Sequence, residues 1–150
     1  MKEAYGGATN LYLFLFFFVV YVSFLAFALQ FAKAYRVKNY VIDALEQGQY
    51  DGEAMDSGTN REIAEKLHKY FLSIPYTGVN NIADDFCKDN SDNGTYIANS
   101  YEGACIIKYG EEDAPYYKVF TFVDFSLPLL DVDLKIPVGG ETMIIKNNNK

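Results

Sequence analysis

The chain has 150 residues, and its 20 acidic and 13 basic side chains give a formal net charge of −7. Outside one apolar segment, this length allows a single small domain. The acidic balance argues against nucleic-acid binding, because proteins that bind nucleic acids present a basic face to the phosphates.

The first predicted element is a membrane-spanning helix from Leu11 to Ala32, after a short leader over residues 1–10. Its sequence, LYLFLFFFVVYVSFLAFALQFA, contains no charge, glycine or proline. A helix of this length measures about 33 Å, which matches a hydrocarbon core about 30 Å thick. Its apolar side chains surround the helix, so no polar face is left for water.

Two other interpretations of this segment compete with the span. A cleaved secretory signal has a basic leader and a shorter apolar run, whereas residues 1–10 contain one lysine and one glutamate. A helix buried in a soluble protein needs a core large enough to enclose it, and the rest of the chain is too short to build one.

The helix is predicted to continue as an amphipathic extension over residues 33–48, within one helix from about Thr9 to Gln47. Apolar residues recur there at spacings of three and four, with polar residues between them. This apolar face consists of Ala34, Val37, Val41, Ala44 and Leu45, widened by Tyr35 and Ile42. Gly48 is the predicted C-cap. The amphipathic half needs a surface to cover, and the following domain, residues 49–150, is the nearest one.

That domain is predicted to contain one further helix and a set of strands. The helix starts at Thr59 or Asn60 and ends before Pro75, since apolar residues share one of its faces. Residues 76–92 are predicted to be a loop or a short helix around Ile82–Phe86. The predicted strands cover residues 95–99, 104–109, 116–127, 132–136 and 141–146, with Pro128, Pro137 and Gly139-Gly140 between the last three.

These elements predict an α+β fold. A long N-terminal transmembrane helix continues into an amphipathic helix, which packs on a small C-terminal antiparallel β-sheet.

The chain has two cysteines, Cys87 and Cys105, at a spacing that suits one disulfide outside the cytoplasm. Two buried free thiols in a reducing compartment are the alternative. The basic residues Lys33, Arg36 and Lys38 follow the span and favour a cytoplasmic domain. The glycosylation triplet Asn93-Gly94-Thr95 favours the other orientation.

This layout resembles type IV pilins and pseudopilins, and most of all the TadE-like pseudopilins of Tad (Flp-type) pilus systems. The most similar stretch is AKAYRVKNYVIDALEQGQYDG, residues 32–52, and the ending VDFSLPLLDVDLKIPVGGETMIIKN is also similar. The resemblance implies a cytoplasmic N-terminus, a domain outside the membrane, and a helix that packs with copies of itself or with other pilin-like subunits.

The resemblance also implies cleavage by a prepilin peptidase after Gly6 or Gly7. Tad-type mature chains carry glutamate and tyrosine at positions five and six. Here Tyr12 can match the tyrosine, but the glutamate is absent. That departure is typical of a minor or initiating subunit, or of an unprocessed protein in which Gly6-Gly7 is only a flexible lead into the helix.

Sites of chemistry are few. The only histidine, His68, lies on the predicted second helix, where a structural role is expected, and no catalytic triad or phosphate loop can be assembled. The candidate metal site is for calcium, since Asp89, Ser91, Asn93 and the Thr95 carbonyl match a calcium loop at positions one, three, five and seven. Position twelve is Ser100 instead of glutamate, so a solvated turn is the alternative.

The sequence therefore predicts a non-enzymatic, single-pass membrane protein without a cofactor, a minor pilin or pseudopilin of a pilus or secretion assembly. The alternative is an anchored ectodomain that binds a ligand, such as calcium or a cell-envelope component, without assembling. A third hypothesis, which the basic flank favours, is a regulatory subunit that faces the cytoplasm.

Overall fold

The computed structural model describes residues 2–55, 57–58, 60–74, 80–91, 98–111, 114–127 and 132–145. These residues form helices α1 (Lys2–Gly48), α2 (Asn60–Ser73) and α3 (Asn80–Ser91), followed by strands β1 (Ala98–Tyr101), β2 (Ala104–Glu111), β3 (Ala114–Leu127) and β4 (Val132–Glu141). The strands pair antiparallel in the order β1-β2-β3-β4. The predicted α+β fold, with one long N-terminal helix and a small antiparallel sheet, is confirmed.

Helix α1 starts at Lys2, earlier than the predicted start near Thr9, and passes through Gly6 and Gly7 without a break. Each glycine lowers helix stability by only about 1 kcal/mol relative to alanine, and no proline interrupts the segment. The predicted end at Gln47, with Gly48 as the C-cap, agrees with the observed last residue to within one position.

The amphipathic half of α1 covers the sheet with the predicted face. Its five core positions are all buried, namely Ala34, Val37, Val41, Ala44 and Leu45. Tyr35 was expected to widen this face, but it is 48% exposed. Lys38, a basic residue outside the predicted apolar face, is only 7% exposed. The aliphatic stem of Lys38 lies against Gly140, and its ammonium lies 4.0 Å from the Tyr35 ring centroid.

The sheet has helices on both faces. Helices α1 and α2 cover one face, in a core that includes Leu45, Leu67, Ile106 and Val119. Helix α3 covers the other face, where Phe86 packs on Phe120 and Phe122 of β3. The two-residue alternation along β3 explains this arrangement, since successive side chains point to opposite faces.

Helix α3 is longer than the short helix predicted around Ile82–Phe86. Its apolar residues Ile82, Ala83, Phe86 and Cys87 follow helical spacing, and they pack in one cluster with β2 and β3. Polar residues dominate the rest of this stretch, so its apolar pattern predicted only a short helix. Tertiary packing on the sheet stabilises the additional turns.

Strand β4 differs most from the prediction, because it runs through Pro137 and Gly139-Gly140, which were expected to end strands. Pro137 pairs with Phe122, and β4 has one partner strand, so a missing donor on its outer side breaks no ladder bond. A Cβ at Gly140 would lie 2.8 Å from Ile42 Cδ1, so glycine allows α1 to approach β4.

The first and the last of the predicted strands differ from the structure as well. Strand β1 begins at Ala98, and residues 95–97 of the predicted first strand lie outside the described residues. Beyond Glu141, residues 142–145 of the predicted last strand form no strand, and Lys146 lies outside the described residues. The segment is held on β3 by backbone hydrogen bonds that Thr142 and Ile145 donate to the carbonyls of Tyr117 and Pro115, each 2.9 Å long.

Tyr117 joins the end of α1 to the sheet. Its ring is fully buried and its hydroxyl donates to the Tyr50 carbonyl at 3.1 Å. Burial raises the pKa of Tyr117 above its ordinary value of 10.0, and the neighbouring Tyr50 and Asp51 raise it further.

We therefore expect the domain to lose stability in alkali. The folded state keeps Tyr117 neutral, so the contribution of this residue to the free energy of unfolding is complete below about pH 10. Above that pH the contribution decreases by about 1.4 kcal/mol per pH unit, until the folded-state pKa is reached. Tyr117→Phe should reduce this loss, while costing about 1 kcal/mol at neutral pH through the missing hydrogen bond. Urea unfolding across the alkaline range measures both effects.

The matched control is Tyr116→Phe, because Tyr116 lies on the opposite side of the same strand. Its alkaline stability profile should follow the unmodified chain. If the stability of Tyr117→Phe falls with pH as steeply as that of the unmodified chain, the alkaline loss does not come from Tyr117.

Candidate functional site

The candidate functional site is the apolar half of α1, which is long and apolar enough to span a membrane. Its large side chains project away from the rest of the described structure, with Tyr12 at 72% and Phe24 at 66% exposed. The exposed set continues around the helix through Leu11, Leu13, Phe14, Leu15, Phe16, Phe17, Phe18, Val19, Val20, Tyr21 and Val22. The segment therefore has no polar side that would suit contact with water.

Burying one Leu, Val or Phe side chain is worth about 1.5–3 kcal/mol. Leaving this whole surface in water would therefore cost tens of kcal/mol, more than the stability of an ordinary domain. A bilayer, or a bundle of similar helices, removes that cost. The helix also satisfies its own backbone, as a hydrocarbon environment requires.

The aliphatic hydroxyl of Ser23, within the exposed apolar half of the helix, has an internal partner. Ser23 Oγ donates to the Val19 carbonyl at 2.8 Å, four residues earlier. A bond of this kind leaves no donor unsatisfied in lipid. Ser23 is therefore compatible with the apolar surroundings.

The junction between the apolar helix and the sheet is built by contacts that the sequence did not reveal. Thr121 Oγ1 of β3 donates to the Ala34 carbonyl at 2.9 Å, and both residues are fully buried. Two turns earlier on α1, Phe27 packs against the cluster of Ala34, Val123 and Val138. A threonine among the apolar residues of one β3 face was the available signal for this junction.

Basic and aromatic residues follow the apolar half at this junction. Lys33 is half-buried, Tyr35 and Arg36 are exposed, and Lys38 lies above Tyr35. Aromatic and basic side chains of this kind are common where a spanning helix leaves the hydrocarbon. They place a polar boundary within one turn of Ala32, at the end of the predicted span.

The predicted cysteine pair is confirmed, since Cys87 of α3 and Cys105 of β2 are joined in a disulfide with a Cα–Cα distance of 5.6 Å. Both cysteines are buried beside Ala83, Ile107 and Phe122. The bridge therefore attaches α3 to the sheet within an apolar layer.

His68 has the exposed position expected of a structural residue. Its side chain is 54% exposed, and its Nδ1 lies 2.5 Å from Glu102 Oε1 in the β1–β2 turn. It lines an open groove of about 470 Å³ together with Arg61, Glu65 and Tyr101.

The remaining predicted site residues lie apart from this junction. Asp89 is exposed near the end of α3 and Ser91 is its last residue, whereas Asn93 and Thr95 lie outside the described residues. Among the residues that the structure describes, no group of three or more His, Cys, Asp or Glu side chains could hold a metal ion. The calcium site therefore stays a prediction.

The predicted processing positions lie at the other end of α1. Gly6 and Gly7 are helical, and a Cβ placed at Gly7 would have no neighbour within 4 Å. The backbone at Gly7 is thus uncovered by the described parts of the chain.

Comparison of the chain with protein-family models, with curated proteins and with solved structures finds no match.

Proposed function

We propose that this protein is a pilin-like structural subunit, a minor pilin or pseudopilin of a Tad- or type IV-like pilus or secretion assembly. The apolar half of α1 anchors the subunit in the membrane, with the N-terminus in the cytoplasm and the sheet outside. The same helix packs with copies of itself or with other pilin-like subunits.

The observation that carries this proposal is the division of one continuous helix into two halves. Residues 11–31 have exposed apolar side chains nearly all round, whereas residues 34–45 bury one apolar face, from Ala34 to Leu45, against the domain. The junction contains a buried hydrogen bond between Thr121 and Ala34. The helix is therefore a rigid extension of the domain, which suits a subunit whose helix fixes its orientation in an assembly.

The disulfide supports the orientation. Disulfides persist in oxidising compartments and are rare in the cytoplasm. The buried Cys87–Cys105 bridge therefore supports the proposed placement of the domain outside the membrane. The basic residues after the span favour the opposite orientation, but that rule is a statistical bias.

Helix packing can be tested by disulfide cross-linking of single-cysteine variants at each position from Phe16 to Ser23, in membranes of the native host. The native cysteines are bridged and unavailable. We expect cross-linked products to recur at spacings of three and four residues, because one face of α1 meets its neighbour. A neighbouring copy gives a dimer of twice the mass. Another pilin-like subunit gives a product of different mass when a cysteine is also introduced in its own N-terminal helix.

Gln47→Cys is the matched control, because it is exposed on the same helix at the far end of the amphipathic half. If positions 16–23 cross-link no more than Gln47→Cys, α1 is a solitary anchor. The alternative, an anchored ectodomain that binds calcium or an envelope component without assembling, would then replace the proposal.

A further inference from the structure

The hairpin of β3 and β4 runs back along α1 toward the apolar half. Tyr117, early in β3, bonds to Tyr50 just beyond the C-terminal end of α1, and Thr121 bonds to Ala34. Val123, two residues further along β3, belongs to the cluster against which Phe27 and Ile136 pack. As β3 proceeds, its neighbours on α1 therefore come from progressively earlier positions.

The strands continue beyond this contact. Register pairing extends from Val123–Ile136 to Leu127–Val132. We call residues 123–127 and 132–136 the hairpin end. Phe27 lies two turns, about 10 Å, before Ala34 on α1, and it packs against the cluster that contains Val123 and Val138, so the hairpin reaches this level of the helix.

The distance of about 10 Å between Phe27 and Ala34 along α1 exceeds the thickness of a headgroup layer. Lys33, Tyr35 and Arg36 mark the polar boundary of the helix near the level of Thr121. The headgroup region on each side of a bilayer is about 5–8 Å thick. If α1 crosses a bilayer, the hairpin end must therefore reach the membrane.

Two features oppose deep insertion of the hairpin end. Strand β4 is at the edge of the sheet, and the unpaired backbone groups of a sheet edge are not tolerated in hydrocarbon. Asp124 and Lys135 are paired in register, and Lys135 is exposed. A charged row at this level belongs in the headgroup layer.

We propose that the hairpin end is a second membrane-contacting element, which lies in the outer headgroup layer beside residues 27–32 of α1. This proposal rests on the anchoring role of α1 proposed above. The hydrocarbon boundary is then near Phe27 instead of Ala32. Residues 9–27 supply a helix about 28 Å long, enough for a bilayer core.

The depth can be measured with the fluorophore NBD on single added cysteines of the full chain in phosphatidylcholine vesicles. The positions are Leu127→Cys in the hairpin end, Phe18→Cys in the helix, and Glu141→Cys, an exposed control at the far end of β4. Quenching is compared between lipids with a nitroxide on the headgroup and lipids with one at mid-chain. Near-UV circular dichroism of each labelled chain shows whether the domain is folded.

We expect Leu127→Cys to be quenched about twofold more by the headgroup nitroxide than by the mid-chain one, and Phe18→Cys to show the reverse order. Glu141→Cys should be quenched by neither. Equal, negligible quenching at Leu127 and Glu141 would overturn the hairpin proposal, and stronger mid-chain quenching at Leu127 would overturn its headgroup placement. Lack of quenching at Phe18 would instead contradict the anchoring role of α1.

Discussion

Leu45→Ala is expected to destabilise the domain by about 2–5 kcal/mol, the usual cost of removing a leucine from a packed core. Leu45 is 0% exposed and belongs to the cluster formed by α1, α2 and the sheet. Truncation removes apolar contacts and leaves a cavity at the point where the amphipathic half of α1 meets the sheet. Chemical denaturation in detergent, followed by tyrosine fluorescence, measures the free energy of unfolding.

The same helix offers a matched control. Leu25 is 44% exposed in the apolar half, so Leu25→Ala should change the domain's free energy of unfolding by less than about 0.5 kcal/mol. Equal losses for the two variants would contradict the division of α1 into an exposed apolar half and a half that packs on the sheet.

The second large effect concerns the disulfide. Reduction of Cys87–Cys105 should lower the free energy of unfolding by about 3 kcal/mol. The bridge closes a loop between residues 18 positions apart, and this closure restricts the entropy of the unfolded chain. The release should loosen α3 from β2, since the two cysteines join these elements. Denaturation curves with and without reductant, with thiol titration to verify reduction, measure the change.

The control is the double variant Cys87→Ala/Cys105→Ala, which has no bridge to lose. Its stability should be low and independent of reductant. If the fully reduced wild type is as stable as the oxidised protein, the disulfide does not hold the fold together, and the argument that it marks an oxidising compartment loses its structural basis.

The sequence predicted those parts of the fold that depend on local periodicity. Spacings of three and four gave the buried face of α1 residue by residue, because a helix that covers a sheet must place apolar side chains on one side. Alternation along β3 gave its two faces for the same kind of reason. The cysteine pair followed from there being only two cysteines.

The sequence did not predict features that depend on neighbours distant in the chain. Pro137 and Gly139-Gly140 are typical of turns, yet β4 keeps them because it is an edge strand and because α1 approaches Gly140 closely. Lys38 is polar by type, but its stem finds an apolar groove beside that glycine, as long basic side chains commonly do. The reach of the hairpin along α1 depends on the register of Thr121 with Ala34, which no local pattern encodes.

The central claim is that α1 crosses the membrane with the sheet outside. Intact cells carrying Glu53→Cys or Thr9→Cys can be treated with a membrane-impermeant maleimide mass tag and compared with lysed cells. Glu53 is exposed on the domain side of α1, and Thr9 is exposed near the other end of the helix, after both predicted cleavage positions. We predict that Glu53→Cys is tagged in intact cells, that Thr9→Cys is tagged only after lysis, and that the native cysteines are tagged only after reduction. Tagging of Thr9→Cys but not Glu53→Cys in intact cells would reverse the orientation, and tagging of both only after lysis would contradict the placement of the sheet outside.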